Sequence, residues 1–221
     1  MTAAADMAGL CRHDLVRIAP VSWAAMLADS PPLREEPLLA DWAERGRPLV
    51  VRRACRDDRR SADLVPVGIS LPPTGNKRRI AVQVPAVAIR SVSPPPRLAD
   101  LASSAPAPWR ATIDRLLELD DGVRVYGALA WQYATGLEYL CATSDLDLLW
   151  RHVAGSPCED LLAGIAAIER QAPMRIDGEV VANGGAVHWR ELHSGAVEVL
   201  TKRLDHVVVQ SRRSFISGSV S

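Results

Sequence analysis

The chain has a single phenylalanine, four cysteines without a CxxC spacing, no long apolar run and no net charge, and each of these shortages removes a class of protein. Cys11, Cys55, Cys141 and Cys158 are too scattered for a disulfide framework or a zinc knuckle, so reduced thiols are expected. No stretch approaches the ~20 consecutive apolar residues of a membrane-spanning helix. The opening MTAAADMAGLCRHDL also lacks the basic start and apolar run of a secretory signal. A cytoplasmic location with no membrane partner is therefore expected. Neutrality overall, with basic residues not interleaved with aromatics, argues against a nucleic-acid surface. Six tryptophans and an excess of arginine over lysine read as compositional bias and carry no function.

What is present is an ordinary globular composition, 48% hydrophobic and 24% charged over 221 residues, enough for one or two domains. Charge is unevenly placed along it. Residues 45–90 hold eleven Lys/Arg against three Asp/Glu, whereas residues 114–160 hold nine acids against three arginines. The first stretch suits an anion and the second a cation, although two solvated faces would show the same counts.

The segment SVSPPPRLADLASSAPAPW, residues 91–109, is rich in Pro, Ser and Ala. Its three consecutive prolines fit neither a helix interior nor a central strand. It predicts a boundary between a domain over 1–92, a linker over 93–109 and a second domain over 110–221. In the first domain, strands are expected at 15–18, 48–53 and 78–84, with a helix from Ser22 to Leu27 and another opening at Pro37 and closed by Gly46. GISLPPTGNKRR is expected to be a turn-rich loop delivering three consecutive cations. In the second domain, helices are expected at 108–119 and 128–135, and one runs from a Ser156 cap with a Glu159 capping box to about Gln171. Strands are expected at 123–126, 139–149, 174–181, 197–202 and 206–210, with a turn at Asn183–Gly185. Helices alternate with strands, so the predicted class is α/β or α+β.

The strongest chemical signal is VYGALAWQYATGLEYLCATSDLDLLW. Residues two apart on a strand share a face, so Asp145 and Asp147 converge while Leu146 points inward. Paired carboxylates repel and usually need a cation or a shared proton. Magnesium fits, since it takes oxygen ligands from one or two carboxylates plus substrate phosphates. A third acid on a neighbouring strand would complete a two-metal clamp. Asp177 is the first candidate and Glu179, with the same facing, the reserve. Gly127 opens the helix before this strand, where its N–H could meet a phosphate or simply permit a tight turn. Ser144 could contact a phosphate or end a loop. His188 and His193 lack partners at zinc spacing and read as structural, and Trp131 and Trp150 read as core.

The order strand, Gly127, helix, SDLDLLW and a downstream strand acid resembles the nucleotidyltransferase superfamily, with its polymerase-beta-like fold. Two features depart from its pattern: Ala128 stands where a second Gly or Ser is usual, and the interval to Asp145 is long. RHDLVRI (12–18), WAERGRPLVVRR (42–53), VGISLPPTGNKRRIAVQVP (67–85), MRIDGEVV and GAVHWREL are similar to the malonate decarboxylase holo-acyl-carrier-protein synthases, the phosphoribosyl-dephospho-CoA transferases. The likeness covers most of the chain, and Gly68–Arg79 is its specific part. The resemblance implies a small N-terminal domain and a nucleotidyltransferase-like C-terminal domain with a mixed sheet. It implies transfer from 2'-(5''-triphosphoribosyl)-3'-dephospho-CoA to a serine of the apo acyl-carrier subunit of malonate decarboxylase, with release of pyrophosphate. It also implies Asp145 and Asp147 as the catalytic pair. Asp145, Asp147 and Asp177 would be the magnesium ligands. From their charge, Lys77, Arg78 and Arg79 could meet the triphosphate or the CoA pyrophosphate, with Arg52 and Arg53 behind them, or form a solvated basic loop. An ATP-dependent nucleotidyltransferase would use the same acids, and a catalytically silent carrier-binding module would have no need of them.

Overall fold

The structure, a computed structural model, describes residues 9–59, 61, 63–75 and 78–218. The class is α+β, with the chain divided into two compact units: one ends at Pro94 and takes in Ala134–Glu138, and the other comprises Pro95–Tyr133 and the chain from Tyr139 onward. Lys77, together with Asn76, lies outside the described residues.

In the first unit, strands β1 (Leu15–Ile18), β2 (Leu49–Val51), β3 (Leu64–Ser70), β4 (Arg79–Pro85) and β5 (Ile89–Ser93) form, among the described residues, one antiparallel sheet in the order β4-β3-β2-β1-β5. β3 alternates in burial along its whole length, with Val65, Val67 and Ile69 turned into the core. That is the period-two pattern of a sheet with one covered face. The loop expected at 68–79 is therefore shorter: Gly68, Ile69 and Ser70 complete β3, Arg79 opens β4, and the Leu71 N–H donates to Arg78 O at 2.8 Å. Helices α1 (Pro20–Asp29) and α2 (Pro31–Arg34) each begin on a proline, whose fixed φ suits the first helical turn. Trp23 and Trp42 are buried, and each indole N–H donates to a backbone carbonyl, Leu39 O at 2.8 Å and Pro48 O at 3.0 Å. The helix expected after Pro37 is a short 3-10 turn, Pro37–Leu39, followed by turns up to Gly46.

The second unit holds helices α3 (Leu98–Leu101), α4 (Arg110–Leu119), α5 (Gly127–Thr135), α6 (Cys158–Glu169), α7 (Trp189–His193) and α8 (Arg212–Ser217). Its strands are β6 (Arg124–Tyr126), β7 (Leu146–Arg151), β8 (Ile176–Ala182), β9 (Gly185–His188), β10 (Glu198–Lys202) and β11 (Val207–Ser211). Among the described residues these make one mixed sheet, β11-β10-β9-β8-β7-β6, in which only β7 and β8 run parallel. A parallel pair needs a crossover, and α6 supplies it. Ile113 and Leu116 of α4 and Leu162, Ile165 and Ile168 of α6 are buried at helical spacing, which gives each helix one apolar stripe for the sheet. Leu146, Leu148 and Trp150 meet them from β7, and Ile176 and Val180 from β8. Gly178 is required there by close packing: a Cβ would meet the Leu148 carbonyl and the Trp150 ring.

Two local expectations are corrected. The segment 93–109 is not a linker beyond its first residues: Leu98, Leu101, Ala105 and Trp109 are buried in the second unit's core, so the apolar residues outweigh the prolines between them. Ser156 does not cap α6 either. Its hydroxyl lies 3.0 Å from His152 Nδ1 and 2.7 Å from Val153 O, while Glu159 pairs with Arg212 instead of closing a capping box.

Candidate active site

The face of the second sheet opposite its core carries the polar side chains Asp147, Asp177, Glu179, His188 and Lys202. β7 begins at Leu146 rather than at Tyr139; residues 140–145 form the turn that delivers Asp145 to the strand's mouth. Ser144 makes that turn, its hydroxyl accepting the Cys141 N–H at 2.9 Å. Alternation along β7 then sends Leu146 and Leu148 into the core and leaves Asp147 on the polar face. The register aligns Asp147 with Tyr126 on β6 and with Asp177 on β8, a row across three strands.

Gly127 is fixed by both its neighbours and its backbone. Its φ is +69°, a left-handed value that side chains rarely adopt, and a Cβ would fall on the Asp147 carboxylate. The strand-to-helix turn thus brings bare backbone against the acid.

Asp177 is held from several directions. Its Oδ1 accepts from His188 Nε2 at 2.6 Å and from Gly178 N at 2.9 Å, and Arg190 Nη1 stands 3.8 Å away. The His188 hydrogen bond is the main reason its carboxyl lies below the usual aspartate range. Burial opposes the shift, and the Gly178 amide and the Arg175 guanidinium assist it. Arg190 is itself anchored by Glu169, by the Ile176 carbonyl at 2.9 Å and by stacking 4.6 Å over Trp189. Arg175 reaches toward both acids without hydrogen-bonding to either, 3.9 Å from Asp145 Oδ2 and 3.9 Å from Asp177 Oδ2.

Glu179, the reserve acid, is buried and accepts from Lys202 Nζ at 2.8 Å, so it is the less accessible candidate. No group of three or more His, Cys, Asp or Glu arranged to hold a metal occurs among the described residues. The oxygen donors Asp145 and Asp147 nevertheless fit magnesium, which commonly draws its remaining ligands from water and phosphate. His188 reads from sequence only as a structural histidine, and Arg175, Arg190 and Tyr126 were not picked out. The turn at Asn183–Gly184 was the usable signal for His188, because that hairpin pairs Glu179 with His188 and sets Asp177 on the adjacent diagonal.

In the first unit, Arg78 donates to Pro32 O at 3.3 Å and lies 3.6 Å from Glu36, while Arg79 opens β4 opposite Ser70 and is exposed. Arg52 cannot stand behind them as an anion grip. Its guanidinium binds both oxygens of Asp58, at 2.7 and 2.6 Å, and also reaches the carbonyls of Val67 and Val82. That clamp, helped by the Cys55 amide and opposed by burial, lowers the Asp58 carboxyl to about 2.

An α+β chain with an acidic row at the open mouth of a mixed sheet and a separate basic unit has the parts of a group-transfer enzyme, and sequence comparison shows which class. The family model described as phosphoribosyl-dephospho-CoA transferase MdcG N-terminal domain matches residues 11–95, and its C-terminal counterpart matches residues 97–213. A phosphoribosyl-dephospho-CoA transferase of Bradyrhizobium diazoefficiens is 44% identical over 213 residues, covering 94% of this chain and 93% of the relative. One of the same name from Xanthomonas campestris pv. campestris is 35% identical over 77% of this chain and 81% of its own length. Another, from Pseudomonas aeruginosa, is 35% identical over 71% and 74%. No solved structure matches. The chain is a transferase enzyme. It belongs to the phosphoribosyl-dephospho-CoA transferase family.

Proposed function

We propose that the enzyme takes the phosphoribosyl-dephospho-CoA group from 2'-(5''-triphosphoribosyl)-3'-dephospho-CoA and attaches it to a serine of the apo acyl-carrier subunit of malonate decarboxylase. The observation carrying this reading is the row Tyr126–Asp147–Asp177 beside Asp145, at the mouth of the only parallel strand pair among the described residues. The serine oxygen forms a bond to the phosphorus next to the ribose, and the bond from that phosphorus to the bridging oxygen of the β-phosphate breaks. Pyrophosphate leaves, and the serine loses its proton.

Such chemistry depends on position and charge more than on covalent participation by the protein. Asp145 and Asp147 would hold magnesium, which supplies charge compensation for phosphate oxygens and makes the serine hydroxyl more acidic. Arg175, exposed and loosely tethered, is a cation available to phosphate oxygens. Arg78 and Arg79, with Lys77, are proposed to bind donor phosphates. Asp177 keeps the third negative charge beside the pair.

The test is to incubate the enzyme and the apo carrier with either the triphosphoribosyl donor or ATP, following pyrophosphate release and intact carrier mass. Gain of one phosphoribosyl-dephospho-CoA from the donor alone is expected. Pyrophosphate release from ATP, with an adenylylated product and no reaction of the donor, would instead identify an ATP-dependent nucleotidyltransferase.

A further inference from the structure

One acid of the polar face, Asp177, lies against a histidine. His188 ends β9 and is the residue before α7, where its Nδ1 accepts the Arg190 N–H at 3.1 Å. A ring nitrogen accepting an amide hydrogen carries no proton of its own, so the ring proton sits on Nε2. Nε2 is the atom 2.6 Å from Asp177 Oδ1. The helix cap therefore fixes the tautomer, and the tautomer fixes the direction of the hydrogen bond. With Oδ1 also taking the Gly178 amide, Asp177 Oδ2 is left as the oxygen nearest Arg175.

We infer that His188 is a positioning residue for the transfer, orienting Asp177 through a tautomer set by the cap of α7. It touches neither donor nor carrier and acts by fixing which oxygen Asp177 presents. The inference rests on the transfer reading proposed above. Arg190 contributes from the same helix, since its anchorage on Glu169 and Trp189 keeps the capped turn beside Asp177.

Two substitutions separate positioning from capping. In His188→Asn the amide oxygen replaces Nδ1 at the cap, a position where Asn is among the best residues, but no donor reaches Asp177. In His188→Gln the amide nitrogen reaches about as far as Nε2, while the cap is lost. The expected outcome is a crossed pattern. Asn melts like the wild type and loses about ten- to hundredfold in kcat, the worth of a hydrogen bond to a charged group, with little change in KM for the donor. Gln melts lower but recovers most of the lost kcat. A purely structural histidine gives the opposite result, with Asn normal in both measurements and Gln impaired in both, and that overturns the inference. A readout independent of turnover is the imidazole Nε2 proton in nitrogen-correlated spectra. It should be shifted downfield and protected from exchange in the wild type, and moved in Asp177→Asn. Its absence from the wild type also overturns the inference. If the wild-type enzyme modifies no carrier while this proton is present, the proposed acceptor is wrong and the His188–Asp177 pair stands.

Discussion

The Arg52–Asp58 pair of the first unit and the acids at the mouth of the second unit's sheet handle charge in opposite ways. In the first, Arg52 and Asp58 close on each other at hydrogen-bond distance and are three-quarters or more withdrawn from water, and the shift of Asp58 to about 2 records how fully they are paired. In the second, Asp145, Asp147 and Asp177 gather at one sheet mouth, and Arg175 stays 3.9 Å from two of them. A charge paired that tightly is part of the scaffold, and removing it should change stability. Like charges kept together with a cation at arm's length oppose folding, and removing one should change chemistry.

The largest effect that would break or sharpen this contrast is at the acids. Asp145→Asn or Asp147→Asn should lower carrier modification by at least about 10³-fold, since each removes a carboxylate proposed to hold the magnesium that offsets phosphate charge. The melting temperature should hold or rise as repulsion is relieved. Next comes Gly127→Ala, whose Cβ must displace the Asp147 carboxylate by about an ångström and whose backbone resists the left-handed φ. About 10²-fold lower kcat and a stability loss of about 1–2 kcal/mol are expected from steady-state kinetics and chemical denaturation. In the basic segment, Arg79→Ala should raise the apparent KM for the donor about ten- to hundredfold, the range for a charge-assisted hydrogen bond. Arg78→Ala should raise it less, because part of that guanidinium is already committed to Pro32. Equal, negligible changes would make the segment a solvated loop.

The smallest effect lies in the paired unit. Because the folded Asp58 carboxyl is depressed, its contribution is present above the unfolded aspartate range and is lost as pH falls through about 2. Asp58→Asn should therefore cost about 2 kcal/mol or less near neutrality, after allowance for solvent screening, and almost nothing near pH 2. Denaturant titrations at several pH values check this, with kcat unchanged.

Much of the second unit's architecture was legible because its signals are local. β-branched runs marked β6, β8, β10 and β11, and the alternation about Leu146 placed Asp147, whereas Asp145 lies in the turn before β7. The misses have nonlocal causes. β3 contains Pro66 and Gly68, which ordinarily mark turns, yet it forms because β2 and β4 flank it on both sides. The proline-rich stretch after Ser93 looked like a linker because proline breaks regular structure. Leu98, Leu101, Ala105 and Trp109 recur every three or four residues within it, and that period was the overlooked sign of burial. Glu179 matches Asp177 in facing, and only the folded sheet pairs it with Lys202. Nothing local could reveal that Arg52 is closed off by Asp58, since a basic run carries no record of which cations already have partners.

The most direct measurement is a single-turnover experiment with saturating donor and apo carrier, comparing wild type with Asp147→Asn at equal folded fraction by carrier intact mass. Saturation removes differences in donor binding, so the rate reports the transfer step. The account predicts quantitative addition of one phosphoribosyl-dephospho-CoA by the wild type and no detectable addition by the variant over the same time, with matching circular dichroism. Transfer by the variant within about threefold of the wild-type rate would contradict it, and would move the chemistry away from the acidic row of the second sheet.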